Sequence, residues 1–290
     1  MKHDNQSTLT TEQIEQYWQD GFLFPLSVLN DDEVCRFTND LAALERGEHP
    51  TLEQPLTHYL RMQSHLVLPM AAQLATHPRV LDAVEPLLGP NIMIWGAEFF
   101  IKEAQSTSVV TMHQDLTYWG FGETSDQVTA WIALTPSTVE SGCMDFVRGS
   151  HKNPILPHTD THADNNLLSR GQEINVKVSD DDRTHVVLAP GQMSLHHGLT
   201  IHGSQPNRSS ERRIGFAIRY INPSARQATV EREYAMLARG VDDSDAFIHV
   251  DAPSTSFSDT SLSRHAAILA ARARVLGAGM AADRQLFQTP

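Results

Sequence analysis

Along this chain the spacing of apolar residues changes character once, near Asn91. Before that point apolar positions recur at helical intervals: Ile14, Tyr17 and Trp18 follow Thr10 and Gln13, and Val34, Phe37 and Leu41 follow Asn30 and Glu33. Each leading pair is a cap residue with a side chain three positions on that can reach back to it, so two amphipathic helices with defined starts are predicted. A third helix is expected from about Met70 to Leu88, ending at Gly89 and Pro90, which cannot continue it.

Beyond Asn91 the period falls toward two. Short alternating runs appear at IMIWGAEFFI, VTAWIAL, CMDFV, HVVLAPGQMSL and RRIGFAIRYI, separated by turn-rich stretches such as TPSTVESG and APGQ. This predicts a mainly β fold, a double-stranded β-helix (a cupin-like jelly-roll) with α-helices at both ends. The expected organisation is one domain over 1–290. It comprises a helical part at about 8–90, a barrel core at about 91–223 with a polar insertion at about 149–185, and a helical tail at about 224–290. The insertion has the composition of a lid over a barrel mouth. In the tail, SLSRHAAILAARARVLGAG reads as a helix with a glycine-rich stop.

Charge and composition narrow the partners. A formal net charge of -13 over 290 residues argues against a nucleic-acid surface or an anionic membrane, both of which need clustered Lys and Arg. Cys35 and Cys143 are too few for a disulfide framework, and the polar start MKHDNQST has no apolar signal core. No apolar run approaches the roughly 20 residues that cross a bilayer. A cytoplasmic protein acting on a small molecule is expected.

The candidate chemistry begins with His-x-Asp, which occurs at His113/Asp115, His158/Asp160, His162/Asp164 and His249/Asp251. The pattern alone therefore decides nothing. Residues two apart on a strand share a face, so His113 and Asp115 can reach one metal if MHQD is extended. The pairs at His158 and His162 fall in the polar insertion and read as solvated, and His249/Asp251 sits in a loop beside Pro253. His202, in LHHGLTIHGSQPNRSSERRIGFAIRY, is the candidate third ligand. In the strand that follows, Ile214, Phe216, Ile218 and Tyr220 form a packing face. Arg213, Gly215, Ala217 and Arg219 form the other, with open space before an arginine suited to a carboxylate. Two histidines and a carboxylate leave iron positions open for an oxoacid and dioxygen.

These residues resemble the phytanoyl-CoA dioxygenase family of Fe(II)/2-oxoglutarate-dependent oxygenases. The resemblance rests on HQD at His113 to Asp115, HGSQPNRSSERR from His202 to Arg213, and LTTEQIEQYWQDGFL near the N-terminus. It implies that His113, Asp115 and His202 bind Fe(2+), with 2-oxoglutarate and O2 as co-substrates. It also implies that Arg213, eleven residues beyond His202, grips the distal carboxylate of 2-oxoglutarate, supported by Ser204 and Trp131, with Gln114 beside the metal pair. Related halogenases replace the carboxylate ligand with a small residue, so Asp115 favours hydroxylation. No match to CoA-binding features is seen, so the acyl-CoA substrate is not carried over. The expected activity is hydroxylation of a small-molecule metabolite. The alternative is a non-catalytic cupin-like binder of a small acid, and a zinc-dependent cupin isomerase is a further rival.

Among lesser candidates, alternation would turn Thr117 and Trp119 inward, with Tyr118 and Trp119 either shaping a substrate wall or filling the barrel. Arg219, about 20 Å along the strand from Arg213, reads as a structural ion-pair partner. Of His196 and His197 one can face inward, neither as a ligand, while Glu98 and Lys102 read as exposed rim residues.

Overall fold

A computed structural model describes residues 8–276 apart from 118, 162, 164, 169–170 and 229–231. Both predicted helix starts form as reciprocal capping boxes. At α1 (Thr11–Asp20), the Thr10 hydroxyl accepts from the Gln13 amide at 3.2 Å and the Gln13 side chain accepts from the Thr10 amide at 2.9 Å. At α2 (Asp31–Glu45), Asn30 and Glu33 exchange bonds of 2.9 and 2.8 Å. Gly21 ends α1 at φ +86°, a left-handed conformation that only glycine takes without cost, and its N–H caps Tyr17 O.

After α3 (Leu56–Arg61), the single helix expected at Met70 to Leu88 is two: α4 (Pro69–Ala75) and α5 (Pro78–Leu88). The break falls at Thr76 and His77 because a residue preceding proline is driven out of the helical region, while Pro78 suits the first turn of a new helix.

Among the described residues there are thirteen strands, and three of them, at 22–27, 233–239 and 247–249, lie in the flanks expected to be helical, because the large sheet recruits edge strands from both sides of the 91–223 core. The thirteen are β1 (Phe22–Ser27), β2 (Ile92–Lys102), β3 (Val110–His113), β4 (Gln127–Ala133), β5 (Met144–Val147), β6 (His158–Asp160) and β7 (Gln172–Ile174), then β8 (Arg183–Val186), β9 (Gln192–His196), β10 (His202–Ser204), β11 (Arg213–Ile221), β12 (Glu233–Arg239) and β13 (Phe247–His249). Seven form a large sheet in the order β1-β9-β4-β11-β2-β12-β13, and four form a small sheet in the order β3-β10-β5-β8. The remaining pair, β6 and β7, is a hairpin within the insertion. The architecture is the double-stranded β-helix, with helices at both ends.

The two faces of β11 divide as the alternation predicts. Phe216, Ile218 and Tyr220 are fully buried in one large cluster with Phe99, Ile132 and Met193 and the apolar faces of α2, α4 and α5. The Tyr220 hydroxyl donates to Ala75 O at 2.7 Å, tying α4 to the sheet. Arg213, Ala217 and Arg219 instead line an internal cavity. The tail helix, α6 (Asp259–Leu276), docks through buried Arg272, which donates to Trp95 O at 2.8 Å and Tyr234 O at 2.9 Å. Its expected glycine-rich stop lies outside the described residues. Among the described residues no helix is long and apolar enough to cross a membrane.

Candidate active site

The cavity lies between the two sheets. The small sheet brings His113, at the end of β3, directly opposite His202, at the start of β10. Asp115 is not on the strand: the chain leaves β3 at His113 and enters a short 3-10 turn, Asp115–Thr117. The turn still returns the carboxylate to the histidines. His113 Nε2 lies 3.3 Å and His202 Nε2 3.8 Å from Asp115 Oδ1.

Backbone carbonyls fix the tautomers. His113 Nδ1 donates to Thr111 O and His202 Nδ1 to Thr200 O, each at 2.9 Å. Both Nε2 lone pairs are therefore turned toward the carboxylate, with all three ligating atoms within 4.8 Å of one another. Burial, and then neighbouring His113, hold the His202 imidazole well below its usual pKa, so it stays neutral. Burial opposes the Asp115 charge, but His202, His113 and His196 outweigh it and hold the carboxyl well below its usual range. The His113 and His202 imidazoles and the Asp115 carboxylate, buried and facing each other, form a donor set that fits a divalent cation. The second carboxylate oxygen is held from behind: Thr129 donates to Asp115 Oδ2 at 3.1 Å, and Gln127 donates to Thr129 at 2.7 Å.

Strand register orders the rest of the wall. Arg219, Thr129 and His196 lie side by side across β11, β4 and β9, level with Asp115. Ala217, Trp131 and Ser194 form the next row, and Arg213 lies beyond. Gly215 is required by Trp131, since a Cβ there would stand 1.8 Å from the indole. Trp131 fills the space beside Gly215, and the Arg213 guanidinium lies 5.2 Å from its ring centroid while still lining the cavity. Arg213 is 1% exposed, donates to Gly142 O, and its Nε has no partner among the described residues. Ser204 lines the same region, and Phe100, Val110, Met144 and Leu168 make an apolar wall.

His113, Asp115, His202, Arg213, Ser204 and Trp131 therefore share one cavity. Gln114 does not join them. Its side chain is buried, donates to Leu199 O at 2.9 Å and accepts from the Leu156 amide at 2.8 Å, clamping the insertion to the loop before β10. His158 is half-buried rather than solvated, and accepts from the Gln114 amide at 3.1 Å. His249 is exposed and pairs with Asp242 at 2.8 Å. His162, Asp164 and Tyr118 lie outside the described residues.

Trp119 fills the barrel, 5.0 Å from the Trp95 ring, and Thr117 lies in the turn beside His158. Arg219 does pair with a carboxylate, Glu98, while also lining the cavity. The exposed rim expected of Glu98 and Lys102 is not found: Glu98 is paired and largely covered, and Lys102 is wholly buried. His196 was legible by alternation, since Met193 and Leu195 face the core while Ser194 and His196 face inward. Its Nε2 is 3.6 Å from Asp115 Oδ2, and neither ring nitrogen has a hydrogen-bond partner among the described residues.

A jelly-roll enclosing two histidines, a carboxylate and a buried arginine defines the class of metal-dependent oxygenases. Comparison with known proteins agrees. The family model "Phytanoyl-CoA dioxygenase (PhyH)" matches residues 17–215, more than half of the chain. Bovine peroxisomal phytanoyl-CoA dioxygenase is 26% identical over 243 residues, covering 78% of this chain and 72% of the relative. A probable alpha-ketoglutarate-dependent hypophosphite dioxygenase of Stutzerimonas stutzeri is 24% identical, covering 71% and 78%. Among solved structures, apo ThoJ, described as a non-heme monooxygenase, superposes with TM-score 0.82 at 31% identity over 92% of this chain and 98% of its own. The chain belongs to the phytanoyl-CoA dioxygenase family. It is an Fe(II)- and 2-oxoglutarate-dependent dioxygenase.

Proposed function

We propose that this dioxygenase hydroxylates a small-molecule metabolite, with His113, Asp115 and His202 holding Fe(II), and Arg213, Ser204 and Trp131 holding 2-oxoglutarate. One observation carries the proposal: three buried ligand side chains converge in the same cavity as a buried arginine with an unpartnered nitrogen. Iron held there would supply dioxygen activation coupled to decarboxylation of 2-oxoglutarate to succinate and carbon dioxide.

The chain's own residues supply the geometry. The Thr111 and Thr200 carbonyls aim both histidines, and the Gln127–Thr129 pair leaves Oδ1 of Asp115 toward the metal position. Arg213 stacks over Trp131, which fixes the direction of its fork toward a carboxylate. Phe100, Val110, Met144 and Leu168 exclude water and offer an apolar surface to a substrate C–H group. The insertion supplies Leu168 and is tied to the residue just before β3 by the Leu167 amide, which donates to Val109 O at 2.8 Å, so the substrate wall is partly made from the least regular segment.

The test is aerobic turnover with iron, ascorbate and 2-oxoglutarate in metabolite extracts, searched without preselection for products heavier by one oxygen. Succinate and an oxygenated product are expected together. Absence of both, in every extract, would refute the activity.

A further inference from the structure

Lys102 ends β2 and stands directly across from Arg213, the first residue of β11. Both are buried, at 0% and 1% exposure. Like charges opposite each other on paired strands repel, and burial weakens the solvent screening that would relieve them. The carboxylate whose charge acts on Lys102, Asp145 on β5, makes its own contacts with His185 at 2.6 Å and Arg183 at 3.7 Å on β8. The neighbouring Cys143 thiol adds no charge, since burial pushes it up to about 11. On β10 the facing groups are uncharged, and Glu103, next on the chain, is turned to Arg212 at the surface. The pair is therefore a buried region of excess positive charge beside the cavity.

The two cations answer that repulsion differently. Burial, and then the Arg213 guanidinium, pull the Lys102 amine down to about 6, against the opposing pull of Asp145. Burial brings Arg213 down only to about 10, so it keeps its charge at neutral pH. Lys102 is the group that yields a proton when the cavity holds no anion.

Its hydrogen bonds give that proton a consequence. Lys102 Nζ lies 2.7 Å from Ser204 Oγ and also donates to Gln205 O. An ammonium has donors only, so a protonated Lys102 obliges Ser204 to accept and leaves the hydroxyl hydrogen for the cavity that Ser204 lines. A neutral amine can instead accept that hydrogen and turn the hydroxyl away.

We propose that Lys102 is the proton-linked second cation of the oxoacid site: a bound carboxylate draws a proton from solvent onto Lys102, whose ammonium then reinforces Arg213 and sets Ser204 to donate to the ligand. This rests on the assignment of Arg213 and Ser204 to 2-oxoglutarate. No bond of the oxoacid changes; one proton moves from solvent to Nζ. Binding takes up a proton at pH values above the free amine's pKa, so affinity falls as pH rises through that range, by up to about tenfold per pH unit. Both carboxyls of 2-oxoglutarate are ionised throughout and contribute no such slope.

The experiment is calorimetric titration of 2-oxoglutarate into the anaerobic, iron-loaded protein at pH 7.5 in buffers of low and high ionisation enthalpy. Uptake approaching about one proton per ligand is expected. In Lys102→Met the uptake should vanish, with weaker affinity that no longer depends on pH. Ser204→Ala should weaken binding while keeping the uptake. Tight binding by the unaltered protein without proton uptake, or uptake retained in Lys102→Met, overturns the role of Lys102 and leaves the oxoacid site standing. Failure of 2-oxoglutarate to bind the unaltered protein overturns both.

Discussion

The two sheets around the cavity are built on different terms. In the large sheet β2 has 11 residues and β11 has 9, and β11 pairs without a shift along the whole of β4. In the small sheet the strands have 3 or 4 residues, and the register shifts between His202 and Ser204. The long sheet carries the apolar core on one face and lines the cavity in fixed rows on the other. The short sheet carries few core residues but presents both metal-position histidines, with Asp115 delivered by a turn. Stability and metal chemistry are therefore separable by sheet, and substitutions should sort accordingly.

The largest effect is expected on the small-sheet side. His202→Ala or Asp115→Ala should abolish iron retention and turnover together, while the thermal unfolding of the metal-free protein changes little, because a cavity-facing ligand contributes little packing. Iron content after dialysis, read beside a melting curve, distinguishes this from misfolding. The opposite result is expected for Phe216→Ala on the core face of β11. Removing a fully buried ring should cost about 3–5 kcal/mol of unfolding free energy. The molecules that remain folded should bind iron at the usual stoichiometry, measured by denaturant titration and metal analysis.

Arg213 belongs to the large sheet but to its cavity face, so it should behave as a site residue. Arg213→Ala should weaken 2-oxoglutarate by on the order of 2–5 kcal/mol with iron content unchanged. Arg213→Lys should also weaken it, since a point charge cannot copy the planar fork, but less than Ala because the positive charge is kept. Half-saturation for 2-oxoglutarate, followed by succinate formation at saturating iron, is the check, and an unchanged value in Arg213→Ala would move the anchor elsewhere. A smaller effect is expected at Thr129, which lines the cavity and donates to Asp115 Oδ2 but is not one of the proposed ligands. Thr129→Val keeps the shape and removes the donor, and should lower iron affinity by about 10- to 100-fold. His158→Ala should leave iron stoichiometry intact, since that ring accepts from the Gln114 amide rather than facing the ligands.

How much of this was legible in the sequence follows the same division. Features set by local chemistry were readable: both capping boxes, the alternation of β11, and the shared location of His113, Asp115, His202 and Arg213. Features set by pairing were not. Lys102 looks like an ordinary strand-end lysine until β2 is registered against β11 and places it opposite Arg213. A glycine and an alanine beside Arg213 read as open space, yet Trp131, from the next strand, fills the part beside that glycine. Strand alternation accounts for Asp115 only in part, since β3 ends at His113 and a 3-10 turn returns the carboxylate to the histidines. Gln114 shows the same limit: its neighbours in sequence face the cavity while its own side-chain amide is taken up by Leu156 and Leu199.

In the proposed function, one cavity holds iron at His113, Asp115 and His202 and 2-oxoglutarate at Arg213. The most direct measurement is visible absorption of the purified protein, without oxygen, as Fe(II) and then 2-oxoglutarate are added. A weak metal-to-ligand charge-transfer band that saturates with 2-oxoglutarate, is absent in His202→Ala, and needs far more 2-oxoglutarate in Arg213→Ala is the predicted result. No band in the unaltered protein at saturating iron and 2-oxoglutarate, or an undiminished band in His202→Ala, would contradict it.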